Sequence, residues 1–414
     1  MKRIGIIGAG AAGMTAAIFA AEAGALPVLI EKNDRLGKKL MITGKGRCNV
    51  TNDSDVNTHI ENIPTNPRFM YTALNSFTPA DTMSFFESLG VPLKTERGGR
   101  VFPQSDKAAD ICGALKQRLH RLNVEILHER AEHILTRDGV VYAVRTNAGI
   151  REFDAVILAT GGAPYPLTGS TGDGYKMAAE LGHTIITPKP SLVPVECAEK
   201  WVSELMGLTL KNVLLTVCEE QSAREVFSEQ GELLLTHFGL SGPLVLSASS
   251  HMKGLPSKRY LMKIDLKPAL DYQTLDHRLQ SDFAKYQNRD FVNALGDLLP
   301  VKLIPAVIRQ SGIDSRKKVN VITREERHKL LDTLKGFTLT AARFRPIDEA
   351  IITSGGVKTS EISPKTLESK LVGGLYFAGE VIDVDAYTGG FNLQIAFSTA
   401  HLAATSAAAE LASK

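Results

Sequence analysis

The feature that most constrains this chain is a glycine-rich turn near its N-terminus, GAGAAG at residues 8–13. A short apolar run precedes it at residues 3–7, and an alanine-rich stretch that predicts a helix follows at residues 14–23. A second apolar run, residues 26–30, leads directly into Glu31. Strand, turn, helix and strand in this order predict a βαβ unit. With an acidic residue about 20 positions after the glycines, the unit has the pattern of a dinucleotide site.

Each glycine of this turn has a mechanical reason to be there. Gly8 lets the chain turn sharply, Gly10 admits a pyrophosphate close to the backbone, and Gly13 lets helix and strand pack tightly. Glu31 can accept hydrogen bonds from a ribose diol, and its charge repels a 2′-phosphate, which favours FAD or NAD over NADP. The alternative is a tight turn without a ligand, and the motif alone does not choose between FAD and NAD.

Composition sets bounds on the rest. The 414 residues, of which 43% are hydrophobic and 22% charged, suffice for two or three globular domains. A net charge of +3 is small for a dedicated nucleic-acid binder, although a local basic face stays open. The four cysteines lie far apart without metal-ligand spacing, so we expect no metal and a cytoplasmic location.

The N-terminal segment superficially resembles a signal peptide, because two basic residues precede an uncharged stretch at residues 4–21. The glycines within that stretch argue against a continuous apolar helix. Nothing else approaches the roughly 20 apolar residues of a membrane span, so we expect no membrane association.

A long polar segment, residues 32–67, follows the βαβ unit and contains the sequence ITGKGRCNVTN at 42–52. This sequence is too polar and too glycine-rich for a helix or a core strand, and long irregular loops are usually functional or disordered. Helices are predicted after it at residues 69–90, with Thr78-Pro79 as an N-cap and first-turn pair and Gly90 as the stop, and at residues 106–122.

Two later strands end in the same way as the first. After Asp154, residues 155–159 are apolar and lead into Thr-Gly-Gly at 160–162, and residues 374–380 finish in Gly-Glu, before a long alanine-rich helix at 392–408. Parallel strands deliver their C-terminal ends to the ligand crevice, so one long cofactor could span both ends if they share a sheet. Before the first of these strands, short runs predict a small β-meander at 124–128, 131–136, 140–146 and 150–153.

The character of the chain changes in its central third, where hairpin-like strands give way to helices. The predicted organisation is a nucleotide-binding domain in two parts, 1–188 and 338–414, interrupted by an inserted domain, 189–337, that is β-rich over 189–270 and helical over 271–337.

Several longer motifs occur in order along the chain: GKKLMITGKGRCNVTN at 37–52, GGRVFP at 98–103, ATGG at 159–162, STGDGYKMAAELGHT at 170–184, THFGLSGP at 236–243 and GLYFAGEVIDVDAYTGGFNLQIAFSTA at 374–400. With the first glycine turn, they resemble the BaiN/YhiN-like family of FAD-dependent oxidoreductases over nearly the whole chain. The resemblance implies an α/β fold, with a Rossmann-like FAD-binding domain of the glutathione-reductase type and an inserted β-rich and helical domain.

The resemblance also implies which residues hold FAD. The polar loop at 42–52 would lie along the flavin, with Arg47 facing a phosphate or flavin oxygen and Asn49 bonding a ring edge. The implied cofactor-binding residues are Gly8, Gly10, Ala11, Ala12, Gly13, Glu31, Lys32, Lys39, Gly44, Gly46, Arg47, Asn49, Thr160, Gly161, Gly379, Glu380, Asp383, Gly390, Asn392 and Leu393.

For the reaction, the resemblance implies hydride transfer from NADH or NADPH through FAD to an activated C=C bond, in an enone or a uracil ring. No second GxGxxG is present, so a nicotinamide donor would bind only transiently. Cys48 and Arg47 are the candidate catalytic residues, with the Cys48 thiol as proton donor, although a packing role explains Cys48 as well. The alternatives are oxidation of a small amine such as aminoacetone, and dihydrouridine synthesis on ribosomal RNA.

Other charged and polar residues have two interpretations each. Lys94, Arg97 and Arg100 could receive the phosphates of a nicotinamide donor or form a solvated face. His237 could be catalytic or structural. The segment 309–329 has seven Lys or Arg against three acids, which permits RNA binding but also suits a solvated helix. An NAD-dependent dehydrogenase and a non-catalytic flavin-binding module remain alternatives from other classes.

Overall fold

The computed structural model describes residues 2–413, which fall into two compact units, one formed by Met1–Ser191 with Ile347–Lys414 and the other by Leu192–Pro346. The strands of the described residues are β1 Arg3–Ile7, β2 Leu26–Ile30, β3 Thr51–Asn52, β4 Leu93–Glu96, β5 Arg100–Pro103, β6 Glu125–Leu127, β7 Ala131–Arg137, β8 Val140–Thr146, β9 Gly149–Glu152, β10 Ala155–Leu158, β11 Ile185–Ser191, β12 Val195–Cys197, β13 Thr209–Glu219, β14 Glu225–Leu235, β15 Gly239–Ser241, β16 Tyr260–Asp265, β17 Phe337–Phe344, β18 Ile352–Val357 and β19 Leu375–Phe377. The α-helices of the same residues are α1 Ala11–Glu22, α2 Lys38–Ile42, α3 Val56–Glu61, α4 Tyr71–Ser76, α5 Pro79–Ser88, α6 Ala108–Arg121, α7 Asp173–Glu180, α8 Pro243–Ser249, α9 Tyr272–Lys285, α10 Ile304–Ser311, α11 Arg324–Lys335 and α12 Phe391–Ser413.

The first unit is organised around a five-stranded parallel sheet in the order β19-β10-β1-β2-β6. Its central strand, β1, is buried from Ile4 to Ile7, as expected for a strand covered on both faces. Gly5 pairs with Val28 on one side and with Val156 on the other. The predicted βαβ unit is confirmed, and the two later strands predicted to end near a ligand, β10 and β19, lie side by side in the same sheet.

Smaller sheets flank the parallel one. Three of the four runs predicted as a meander form the antiparallel sheet β7-β8-β9, but the first run, 124–128, is wrong because it contains β6, which pairs in parallel with β2 at the edge of the main sheet. Strands β3, β5 and β4 form a second three-stranded sheet. That second sheet joins the polar loop at 42–52 to the GGRVFP motif, because Thr51 pairs with Val101. Strands β11 and β18 form a two-stranded antiparallel ribbon.

The polar stretch 32–67 and the helix predicted at 69–90 differ from expectation. The polar stretch contains helices α2 and α3, which are short and lack the periodicity that predicts longer helices. The single helix is wrong at its centre, where Phe77 is extended with φ −149°. Thr78 then caps a new helix through a reciprocal capping box with Asp81.

The second unit contains a closed barrel in the order β12-β15-β14-β13-β16-β17. Helices α9, α10 and α11 bury Leu279, Val307 and Leu331 in the same apolar core as the barrel residue Leu215. The second unit extends beyond residue 337, where the inserted domain was expected to end. Strand β17 closes the barrel by pairing with β12, and the compact unit continues to Pro346. A strand that follows the helices in sequence but completes the barrel in space gives no local signal of this membership.

Across residues 2–413, no helix is both long and apolar enough to cross a membrane. In the same part of the chain, no group of three or more His, Cys, Asp and Glu side chains is placed to hold a metal ion.

Candidate dinucleotide site

The turn between β1 and α1 has the geometry that its glycines predict. Gly8 has φ +100°, and a Cβ there would lie 2.6 Å from the carbonyl oxygen of Ala159. A Cβ on Gly13 would lie 1.7 Å from the Gly8 carbonyl oxygen. Gly10 differs, because a Cβ there would meet nothing within 4 Å. Gly8 and Gly13 are thus packed against neighbouring backbone, whereas the space beside Gly10 is open. This space lies next to the first-turn N–H groups of α1, which lack partners within the helix.

Glu31 lies at the C-terminal end of β2, next to this turn, and is buried. Its Oε2 accepts a hydrogen bond of 2.7 Å from the Ala9 N–H. Its Oε1 accepts bonds from the backbone N–H of Asn33 at 2.8 Å and from Asn33 Nδ2 at 2.7 Å. Three bonds fix the carboxylate and still leave acceptor capacity, since two carboxylate oxygens offer about four lone-pair sites.

The ends of the other strands meet at the same turn. Gly379, just after β19, has φ +75°, and a Cβ there would lie 2.8 Å from the Cβ of Ala12. Thr160, just after β10, lies against Gly8, whose added Cβ would come within 2.9 Å of the Thr160 Cα. Segments that are far apart in sequence therefore converge at one edge of the parallel sheet, where a single long ligand could span them.

Glu380 connects several segments at this edge. Its Oε2 forms an ion pair of 2.7 Å with Lys39 of α2, and its Oε1 accepts a bond of 2.9 Å from the N–H of Thr353. The Tyr175 hydroxyl donates to the Glu380 carbonyl at 3.4 Å. Lys39, predicted to bind the cofactor directly, thus has its ammonium on Glu380.

Two polar atoms at this site have no hydrogen-bond partner within residues 2–413: Asn49 Oδ1 and Thr160 Oγ1, both shielded from solvent. Unsatisfied buried polar atoms are rare and call for a partner. Together with the open position at Gly10, they fit a ligand that has both a phosphate portion and a hydrogen-bonding ring, as FAD has. The residues at this edge therefore fit FAD.

The polar loop at 42–52 folds into a tight, left-handed turn after α2. Gly44, Lys45 and Gly46 all have positive φ, at 56°, 58° and 84°. The N–H of Cys48 closes the loop on the Thr43 carbonyl at 3.1 Å. Glycine adopts this conformation without strain, which explains both glycines of the motif.

Cys48 is fully buried in the apolar core beneath this loop. Burial raises the pKa of its thiol to about 12. A proton donor must reach its substrate, and this thiol is shielded from solvent and weakly acidic. The proton-donor role stays a prediction that this geometry does not support, whereas the packing role agrees with it.

Arg47 lies on two carboxylates instead of an open face. Its guanidinium pairs with Glu96 and Asp106 and stands 4.0 Å from the centroid of the Phe102 ring. These pairs raise the pKa of Arg47, the hydrogen bond with Glu96 being the first cause. Lys94 also pairs with Asp106, at 2.7 Å. A direct role of Arg47 in cofactor binding or catalysis stays a prediction, and it requires that the guanidinium leave these partners.

The cofactor-binding residues predicted near the C-terminus lie in different environments. Asp383 is buried, which raises the pKa of its carboxyl, and its Oδ2 accepts a bond of 3.0 Å from Asn66 Nδ2. A Cβ on Gly390 would lie 2.3 Å from the carbonyl of Thr51, so this glycine permits close packing on β3. Asn392 Nδ2 donates to the Ala386 carbonyl at 2.7 Å.

The remaining predicted ligands lie around the same edge. Lys32 follows Glu31 and pairs with Asp173 of α7 at 2.7 Å. Gly161 has φ +73°. Ala11 and Leu393 lie in the first turns of α1 and α12, and both are partly buried. Each of these assignments to FAD stays a prediction.

Two residues of this edge had no sequence signal. Asn33 and Thr353 bind Glu31 and Glu380, but neither belongs to a glycine-rich turn. A short polar side chain beside a functional acid is common, so only the three-dimensional contacts identify it.

Charged and polar residues elsewhere are mostly paired. Within 309–329, Arg309, Lys317, Lys318 and Arg327 form ion pairs with Glu204, Glu326, Asp290 and Asp276. His237 has its ring 4.9 Å from that of Phe238. Nothing in these contacts assigns His237 a chemical role.

His59, near β3, gives a test of packing at this edge. It is 1% exposed, its Nε2 donates to the Asn52 carbonyl at 3.2 Å, and its ring lies 4.9 Å from that of Phe391. Burial lowers the pKa of His59 to about 4, while Asp55 acts weakly in the opposite direction. The unfolded chain takes up this proton near pH 6.5 and the folded chain only near pH 4. The unfolding free energy should therefore fall by about 3 kcal/mol as the pH drops through that window.

His59→Gln should remove most of that loss. The measurement is urea unfolding at pH 7 and pH 4.5 for the wild type, for His59→Gln and for a matched control, His120→Gln, at an exposed position. An equal loss of stability in His59→Gln and the wild type would contradict the assignment.

Comparisons with known proteins agree with this geometry. Residues 2–406 match the family described as HI0933-like protein Rossmann domain. A Clostridium scindens protein, 3-dehydro-bile acid delta(4,6)-reductase, is 33% identical over 414 residues, 99% of each chain. The ribosomal RNA dihydrouridine synthase of Haemophilus influenzae is 31% identical over 407 residues, 97% of each chain.

Among solved structures, the open conformation of a flavocytochrome c3 fumarate reductase superimposes with a TM-score of 0.53 and 18% identity. The match covers 99% of this chain and 78% of that one, and at this identity it concerns the fold alone. The resemblance seen in the sequence motifs is confirmed, and the chain belongs to the HI0933-like family of Rossmann-fold proteins, as an FAD-dependent oxidoreductase.

Proposed function

We propose that this chain reduces an activated C=C bond of a small molecule, with hydride taken from NADH or NADPH. The proposal rests on a type of reaction that the two named relatives have in common. A delta(4,6)-reductase of a 3-dehydro bile acid and a dihydrouridine synthase both saturate a C=C bond conjugated to a carbonyl, and both match almost the full chain. The common chemistry is hydride addition to the β carbon and protonation of the α carbon.

FAD would lie along the edge where β1, β10 and β19 end. The Gly10 turn and the start of α1 would receive the pyrophosphate, and Glu31 the adenosine ribose. Thr160, Gly161, Gly379 and Glu380 would border the middle of the cofactor, and the loop with Asn49 would meet the flavin ring. When bound, FAD supplies the hydride carrier that the reaction needs.

The protein residues then have positioning tasks. The Lys39–Glu380 pair holds the segment after β19 against α2. The left-handed turn at Gly44 and Gly46 would bring backbone close to the cofactor, and the buried Asn49 Oδ1 could accept a hydrogen bond from a ring N–H. The nicotinamide donor would visit the site transiently, because the chain has a single GxGxxG turn.

Asn49 is the sharpest single test of where the ring lies. Because its Oδ1 has no partner within the described chain, Asn49→Ala should leave the stability of the apo-protein nearly unchanged. FAD should bind about tenfold more weakly, the loss expected for one hydrogen bond. The measurement is FAD titration of apo-protein, with Asn75→Ala, at an exposed asparagine of α4, as the matched control. Equal FAD affinity in the Asn49 and Asn75 variants would remove Asn49 from the site.

A uracil ring in RNA is the second candidate acceptor, favoured by the name of the second relative. The segment 309–329 would be the natural RNA surface, but four of its cations are already paired with acids. We therefore place the small-molecule enone first.

The function is tested by reoxidation of the reduced protein without oxygen. The protein is reduced with NADH or NADPH, freed of excess donor, and mixed with a 3-oxo-4-ene steroid or with a uracil-containing ribosomal RNA fragment. Return of the oxidised flavin spectrum with the steroid, together with a saturated ketone product, supports the proposal. Reoxidation by the RNA alone would favour the second candidate, and reoxidation by neither would contradict both.

A further inference from the structure

The segment 162–169, which follows β10, begins and ends at glycines pressed against other residues of the candidate site. A Cβ on Gly162 would lie 2.3 Å from Thr353 Oγ1 and 2.5 Å from Glu380 Oε1. At the other end, a Cβ on Gly169 would lie 2.4 Å from Asn33 Nδ2. Each glycine therefore permits one close approach.

Hydrogen bonds fix both ends of the 162–169 segment to these neighbours. The N–H of Ala163 donates to Thr353 Oγ1 at 2.9 Å, and Asn33 Nδ2 donates to the Thr168 carbonyl at 3.2 Å. Thr353 is 1% exposed, so its hydroxyl contact is shielded from water. The Thr353 contact is therefore not easily replaced by solvent.

The same two residues bind the two acids of the site. The Thr353 N–H donates to Glu380 Oε1 at 2.9 Å, and Asn33 Nδ2 donates to Glu31 Oε1 at 2.7 Å. Each end of the segment thus reaches a carboxylate through one intermediate residue.

The interior of the segment is stiff. Pro166–Thr168 forms a single 3-10 turn, closed by the Gly169 N–H on the Pro166 carbonyl at 3.0 Å. The Thr168 hydroxyl donates to the Tyr165 carbonyl at 2.7 Å. Two prolines, Pro164 and Pro166, restrict the backbone further. A stiff segment of fixed length can hold its two ends at a fixed separation.

We infer that Asn33 and Thr353 are positioning residues for FAD, and that the 162–169 segment couples them so that Glu31 and Glu380 stand at a fixed separation along the cofactor. This inference rests on the proposed function, in which Glu31 borders the adenosine ribose and Glu380 borders the middle of FAD. Binding groups must be held within about 0.5 Å of their working position, and carboxylate rotamers alone do not ensure this. The segment supplies the constraint.

The test uses two variants that keep side-chain shape and remove specific bonds. Thr353→Val removes the acceptor for the Ala163 N–H. Asn33→Asp removes the Nδ2 donors to Glu31 and Thr168 and places a carboxylate beside Glu31. Each should weaken FAD binding to the apo-protein about tenfold, as measured by quenching of flavin fluorescence. Thr353→Ser keeps the hydroxyl and should restore wild-type affinity.

Matched controls are Thr405→Val, whose hydroxyl bonds within its own helix, and Asn75→Asp, at an exposed helix position. Both should bind FAD as the wild type does. In the double variant Asn33→Asp with Thr353→Val, the loss should be smaller than the product of the single losses, because either change releases the same segment.

Wild-type affinity in either single variant, or losses that multiply independently, would overturn the inference. If Thr353→Val does not fold, Asn33→Asp carries the test, and unchanged affinity there overturns it. A wild-type protein that binds no FAD would instead contradict the proposed function, so the two failures are distinguishable.

Discussion

Replacing Gly10 with valine is expected to abolish FAD binding while the apo-protein keeps its fold. Gly10 has φ −79° and ψ −164°, a conformation open to any L-residue, and a Cβ there meets no atom within 4 Å. The valine side chain would occupy the space that a pyrophosphate needs against the first turn of α1. We expect affinity to fall by about a hundredfold or more, measured by FAD titration of apo-protein.

Gly113→Val is the matched control for this prediction. Gly113 lies in α6, is exposed, and likewise has no atom within 4 Å of an added Cβ. The control should bind FAD with wild-type affinity, and circular dichroism should be the same for both variants. Normal FAD binding by Gly10→Val would mean that the pyrophosphate does not lie at this turn.

Gly13→Ala, unlike Gly10→Val, should destabilise the fold itself. Its Cβ would lie 1.7 Å from the Gly8 carbonyl oxygen and 2.9 Å from the Gly8 carbonyl carbon, and neither is a flexible side-chain end. Helix α1 would have to move away from β1, so we expect the unfolding free energy to drop by about 3 kcal/mol or more. Urea unfolding of the apo-protein measures this without any contribution from cofactor binding.

The control for Gly13→Ala is Gly113→Ala in α6, where the extra methyl group is free of contacts. Alanine is favoured over glycine inside a helix, so this variant should be more stable by roughly 0.5–1 kcal/mol. A Gly13→Ala protein as stable as the wild type would show that the turn has a different backbone geometry.

The parallel sheet and its glycine turn could be predicted from the sequence because their signals are local. Apolar runs at β1, β2 and β10 bracket the glycines and acids that determine how the strands end, so the elements follow from pattern alone. The sequence left open whether the later strands share the sheet, because that depends on the pairing of β10 with β1 and β19. The cap at Thr78 and Pro79 is confirmed as the start of a helix, but the break before it at Phe77 has no signal of its own in the sequence.

The contacts of charged side chains could not be predicted in the same way. Arg47 lies in the loop predicted to bind FAD, yet its guanidinium pairs with Glu96 and Asp106, which are far from it in sequence. The Cys48 thiol lies in the same motif and suggested a proton donor, but its burial depends on how the loop folds over the core. Membership of β17 in the barrel likewise depends on long-range pairing with β12 and β16.

We propose that this chain is a flavoprotein reduced by a nicotinamide, a claim that one spectroscopic measurement can test. The measurement is the visible absorption spectrum of the purified, desalted protein without oxygen, before and after NADH and then NADPH are added. We expect an oxidised flavin spectrum that bleaches with at least one donor. A protein that shows no flavin spectrum even after reconstitution with FAD would contradict the claim, and a flavin spectrum that neither donor bleaches would contradict the nicotinamide step.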